Sequence, residues 1–161
     1  MKLQLVEGRG HPNVRATHRT TFELTRESHL TPRGDCIIAV SADKAAADLD
    51  RSFVQELRGG WIWIGLVVGS RVEVVKARGS IDITSSNKVK LIVRRSTFIE
   101  PATVGVSADK AAADLDRSFV QELRGGKRLV ALLAASQRAL EYREFLGVLV
   151  DHFPPLGGTL G

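Results

Sequence analysis

Residues 40–60 read VSADKAAADLDRSFVQELRGG, and residues 106–126 repeat them letter for letter. An identity of this length marks an internal duplication, and a duplicated chain must fold as two like units that share or stack a core. The flanks extend the match. Val6-Glu7-Gly8-Arg9-Gly10 answers to Val75-Lys76-Ala77-Arg78-Gly79, Phe22 and Leu24 to Leu91 and Val93, Pro32 to Pro101, and Trp61–Ser70 to Lys127–Ser136. One three-residue gap, placed just after the shared proline, accounts for the difference in length. The repeats run over 3–70 and 71–136, and the 161 residues are read as a single domain, 1–161.

Each repeat predicts strand, strand, strand, helical segment, strand. Leu3 and Leu5 alternate with polar neighbours, as do Thr20, Phe22 and Leu24, then Ile38 and Val40; the second repeat keeps that parity. Ala42, Ala46, Leu49, Phe53 and Leu57 share one helical face, with Ser41 or Asp43 as cap and Gly59-Gly60 as stop. Asp48 or Asp50 offers a second cap, so one bent helix and two short ones are both compatible. Trp61–Val68 is apolar on both parities and needs cover on both faces. Gly69-Ser70 then turns the chain into the second repeat. Residues 127–135 favour helix by propensity, but their match to Trp61–Ser70 makes them a strand. Residues 137–153 have no counterpart and predict an amphipathic helix ended by Pro154-Pro155, either plugging an open barrel end or mediating self-association; the tail 156–161 is expected to fray. The expected fold is α+β: a pseudo-twofold β-barrel of about eight strands, one helical segment per repeat and an extra C-terminal helix.

The repeats differ most in polar residues. Arg9–Thr21 of the first carries His11, Asn13, Arg15, His18, Arg19 and Thr20, where the second has Ser80 for His11 and Asn87 for His18. The first repeat adds Leu30–Cys36, including Arg33, Asp35 and Cys36, and the last two have no clear partner in the second. Imidazole, carboxylate and thiol serve as acids, bases, nucleophiles or metal ligands. The candidate catalytic set is therefore His11, His18 and Asp35. Asn13, Arg15, Arg19, Thr20, Arg33 and Cys36 are candidate ligand contacts, the arginines as bidentate clamps on phosphate or carboxylate. His11 and His18 match no zinc spacing, so no metal site is assigned; Cys36 opens an apolar strand and reads as a buried thiol. His29 and His152 read as surface or capping residues. No cofactor is indicated: the glycine pairs follow helices, and Arg9-Gly10 does not extend to a phosphate-cradling motif.

Charge adds one further possibility. The chain is net +5, and the excess peaks in Arg71, Lys76, Arg78, Lys88, Lys90, Arg94 and Arg95. A solvated strand face or an RNA-binding groove would use such a patch, although the few aromatics are not interleaved with it. The apolar runs are too short to cross a bilayer, no signal segment opens the chain, and the lone cysteine forbids an intrachain disulfide. The expectation is a cytoplasmic protein without membrane contact. Sparse Met, Asn and Gln, with Arg preferred to Lys, point to a heat-adapted source.

RGHPNVRATHRTTFELT, LTPRGDC and the twice-used ADKAAADL resemble an archaeal domain-of-unknown-function family, number 371, over about residues 3–135. The resemblance implies an archaeal cytosolic protein with no assigned activity. It carries the family's first-repeat motif onto His11, Asn13, His18, Thr20, Thr21, Gly34, Asp35 and Cys36, while Ser80-Ile81 departs from the histidine-proline turn. The leading functional expectation is a module holding an anionic small ligand at the first-repeat loops. The alternatives are a hydrolase or lyase using His/Asp acid–base chemistry, an RNA-binding module, and a homodimeric scaffold.

Overall fold

The computed structural model describes residues 1–157. Each repeat contributes four strands, split between two sheets. The first repeat supplies β1 (Lys2–Arg9), β2 (Thr21–Thr25), β3 (Ile37–Ala39) and β4 (Trp61–Val68), and the second supplies β5 (Arg71–Arg78), β6 (Lys90–Arg94), β7 (Thr103–Gly105) and β8 (Arg128–Ser136). One sheet runs β1-β8-β4-β5 and the other β3-β2-β6-β7. A twofold exchange of the repeats maps each order onto itself. Its axis passes through the β2–β6 ladder at the directly opposed pair Glu23 and Ile92, which also answer to each other between repeats.

The expected closed barrel is not formed: these are two open sheets. Their edges meet only at single bridges, Arg9 with Val40 and Arg78 with Val106. The strands β3 and β7 are three residues long, and directly after each bridge Ser41 and Ser107 turn away with φ near +50°. No ladder can propagate from one bridged residue. The sheets instead share one core, in which Val6, Phe22, Leu24, Ile62, Ile64, Leu91, Val93 and Leu133 are buried together. The two-sided burial of β4, which suggested a barrel, has another cause. Ile62 and Ile64 face the shared core, while Trp63 and Val67 face helix α3 (Tyr142–His152).

Helix α3 therefore neither plugs a barrel end nor leaves its apolar face open. Phe145 stacks on Trp63 with ring centroids 5.5 Å apart, and the Trp63 indole N–H donates to the Leu140 carbonyl at 3.2 Å. Gly65 makes room for the helix, since a Cβ there would stand 2.4 Å from Leu149 Cδ2. Leu156, expected to fray, is buried in the same cluster; residues 158–161 of that tail lie outside the described residues.

The shared segment resolves into two pieces in each repeat. A 3-10 turn, Ala46–Asp48 or Ala112–Asp114, precedes α1 (Arg51–Leu57) or α2 (Arg117–Arg124). Leu49 and Leu115 are extended at the break, and the Asp48 and Asp114 carboxylates accept from the Ala45 and Ala111 N–H groups at 2.8 Å. Ser41 and Asp43 cap no helix; Asp43 instead accepts from the Glu7 N–H of β1 at 2.9 Å. The helices dock across the repeat boundary. Gly10 lies on the Leu123 carbonyl of α2, and Gly79 on the Leu57 carbonyl of α1.

Candidate functional site

His11 and His18 both hold turns. His18 Nδ1 accepts the backbone N–H groups of Thr20 and Thr21 at 3.2 and 3.1 Å, and the Thr20 hydroxyl lies 3.4 Å from the same nitrogen. Asn87, its counterpart, accepts from Val89 and Lys90 through Oδ1 at 2.8 Å each. His11 Nδ1 accepts from the Asn13 N–H at 3.0 Å, as Ser80 Oγ accepts from Asp82 at 3.1 Å. An accepting Nδ1 leaves the proton of a neutral ring on Nε2. His11 and Ser80, and likewise His18 and Asn87, thus each supply one acceptor to the same turn of their repeat.

Asp35 meets this segment through its backbone: its carbonyl accepts from Thr17 and His18 at 3.0 and 3.2 Å. Among the described residues no hydrogen bond joins its carboxylate to either imidazole. The Pro101 carbonyl receives Ser86 and Asn87 in the same way, and Glu23 N–H donates to Cys36 as Ile92 N–H does to Ala102. Asp35 and Cys36 therefore do have counterparts, Pro101 and Ala102, and the three-residue difference lies before them, in the loop containing Pro32. That loop is tied down by Asn13, whose amide donates to the Leu30 carbonyl at 2.7 Å.

Two hollows flank the extra loop. The first, about 260 Å³, lies between the Pro12–Arg15 turn, Pro32 and the end of α2, and is lined by Arg15 and Arg124 without any carboxylate. Arg15 reaches the Pro32 carbonyl at a long 3.4 Å, and Arg124 makes no side-chain hydrogen bond or ion pair among the described residues. Arg58, the counterpart of Arg124, instead donates twice to the Ile81 carbonyl, at 3.0 and 2.8 Å. Arg19, Arg33 and Thr20 are exposed beside these loops.

The second hollow, about 170 Å³, lies on the face of the β3-β2-β6-β7 sheet turned away from the core, with Glu23, Thr25, Glu27, His29, Gly34 and Lys90 in its lining. Glu23 is only 4% exposed. Burial pushes its carboxyl above the ordinary value, against the opposing pull of Lys90. Cys36 Sγ donates to Glu23 Oε1 at 3.8 Å, and burial, with Glu23 and Asp35 nearby, pushes the thiol up to about 12. Cys36 thus faces Glu23 and is held as a thiol, not a nucleophile. Sequence reasoning missed Glu23 because an acid between Phe22 and Leu24 looks like a solvent-facing strand residue.

The basic strand patch is largely engaged. Lys76 and Arg78 lie over the Trp61 ring, Arg71 pairs with Glu122, Arg94 with Glu100, and Arg95 with Asp114. No three metal-ligating side chains converge among the described residues, and no helix among them is long and apolar enough to cross a membrane.

The model of the family described as "Domain of unknown function (DUF371)" matches residues 6–136, which is both repeats and nothing of α3. The chain belongs to this family. An uncharacterized protein of Methanocaldococcus jannaschii is 35% identical over 127 residues, covering 78% of this chain and 94% of the relative. The archaeal affiliation expected from the first-repeat motifs agrees with this relative. Since the DUF371 match ends at the last residue of β8, the α3 cover over Trp63 stands outside the family's matched segment.

Proposed function

We propose that the protein binds a small anionic ligand, bearing phosphate or carboxylate, in the cleft between the Pro12–Arg15 turn and the end of α2. The reading rests on Arg15 and Arg124, two guanidinium groups lining one concave space with no acid among the described residues of its lining. Guanidinium donors arranged as a fork match phosphate and carboxylate oxygens two at a time, and Pro12, Val14 and Pro32 offer apolar wall to the rest of a ligand. The contrast with Arg58 supports the same conclusion: one repeat spends this arginine on a loop carbonyl, and in the other Arg124 has no side-chain partner among the described residues.

In this reading Asn13, His11 and His18 shape the loops, and Arg19 and Arg33 add to the local positive field. The Nδ1 atoms of both histidines are committed to backbone, which removes the specific support for a His/Asp acid–base pair. The test is phosphate-dependent thermal stabilisation of the full chain. Wild type should melt higher as inorganic phosphate rises, and Arg15→Ala and Arg124→Ala should each lose most of that rise. A full rise in the Arg15→Ala/Arg124→Ala double variant would overturn the proposal.

A further inference from the structure

The hollow over Glu23 has a twin, and the twin is filled. Across the pseudo-twofold Thr25 answers to Arg94, Gly34 to Glu100, Ile37 to Thr103 and Lys90 to Thr21. In the second repeat the Arg94 guanidinium occupies the corresponding space. It pairs with Glu100 at 3.0 Å, lies within 3.3 Å of Thr21 Oγ1 and 3.5 Å of Thr103 Oγ1, and is covered by the Phe98 ring at 5.0 Å. In the first repeat that arginine is cut back to Thr25, its acid on the loop is Gly34, and a carboxylate stands instead on the strand at Glu23.

We propose that the first-repeat hollow is a binding site for a cationic nitrogen group, a guanidinium or ammonium carried by a small molecule, which takes the place that Arg94 takes in the second repeat and pairs with Glu23. The filled twin shows that a guanidinium fits over the matched strand positions, the loop at the rim being three residues longer in the first repeat. The empty one holds a carboxylate that is 4% exposed, and its only side-chain hydrogen bond among the described residues is the 3.8 Å contact from Cys36. A buried carboxylate without a cation is costly, and an incoming cation offsets that cost. The local charge agrees: in a chain of net +5 this lining carries two glutamates, Glu23 and Glu27, against one lysine. Lys90 is exposed at the rim and forms no ion pair with Glu23. Glu27 already engages His29, Nε2 to Oε2 at 3.2 Å, which leaves Glu23 as the free acid at the floor.

This site is independent of the anion cleft. Pro32 lines that cleft, while Leu30, Thr31 and Gly34 of the same loop line this hollow. The test uses agmatine as guanidinium probe and butylurea as its uncharged analogue, followed by amide NMR of the full chain. Agmatine should move the Thr25, Leu30 and Gly34 amides saturably, and butylurea should not. Glu23→Gln should weaken agmatine by about tenfold or more. Thr25→Arg, which supplies the plug found in the other repeat, should abolish binding and keep the fold. Arg124→Ala, which removes no hydrogen bond to the 30–34 loop among the described residues, should bind agmatine like wild type, so failure of the anion cleft and failure of this site read differently. Unmoved amides in wild type, equal binding of butylurea, or undiminished binding by Glu23→Gln or Thr25→Arg would each overturn the proposal.

Discussion

His18 Nδ1 and Asn87 Oδ1 do the same work: each accepts the two backbone N–H groups that follow it by two and three residues. Asparagine at position 18 should therefore hold the first-repeat turn, and alanine should not. His18→Asn is expected to melt within a degree or two of wild type, whereas His18→Ala should lose about 1 kcal/mol, the usual cost of removing a side-chain cap. Chemical denaturation of the three proteins measures this.

Glu23 carries a stability cost that depends on pH. Its folded carboxyl sits above the ordinary 4.5, so the native state holds the proton more tightly than the unfolded chain. Its contribution is fully present below 4.5 and is lost as pH rises through the raised folded value. Glu23→Gln should accordingly stabilise the protein at pH 7 by on the order of 1 kcal/mol, and the gain should vanish below pH 4.5. Melting curves from pH 4 to pH 8 check the sign. A residue that weakens the fold while lining a hollow is the pattern expected of a working site.

Cys36 should resist alkylation. With its thiol pushed up to about 12 it holds almost no thiolate at pH 8. Iodoacetamide is expected to label the native protein far more slowly than the denatured chain. Glu23→Gln should speed the reaction, because the neighbouring carboxylate is one of the causes that raise the thiol.

Gly10 and Gly79 should be the least tolerant of the glycines. A Cβ at either would stand 1.9 Å from a backbone oxygen, Leu123 or Leu57, on the helix of the other repeat. Alanine at either position must push helix from strand, and a loss of about 1–3 kcal/mol or more is expected by denaturant titration. Gly69→Ala meets no atom within 4 Å but has φ +60°, so only backbone strain applies there and its cost should be smaller.

Much of the fold is legible in the chain itself. Val, Leu and Ile alternation locates β1, β2, β5 and β6, and the strand at 128–136 is recognisable only because its repeat partner is Trp61–Val68. Closure was not legible, because it depends on whether three-residue strands such as Ile37–Ala39 can ladder beyond one bridge, which periodicity does not encode. At the candidate site, His11 and His18 stand out chemically, but that Ser80 and Asn87 supply the matching turn acceptors is not legible from residue identity alone. The informative signal was quieter. Glu23 answers to Ile92 and Thr25 to Arg94, an acid against an apolar residue and a short side chain against a long one at matched strand positions.

The claim that the two repeats share a backbone but differ in which guanidinium groups stay available is most directly tested by arginine side-chain NMR during phosphate titration. The Nε–H signals of Arg15 and Arg124 should shift together and saturate at one phosphate concentration, while that of Arg58, bonded to the Ile81 carbonyl, stays in place. Movement of Arg58 in step with Arg124, or shifts that never saturate, would contradict the account.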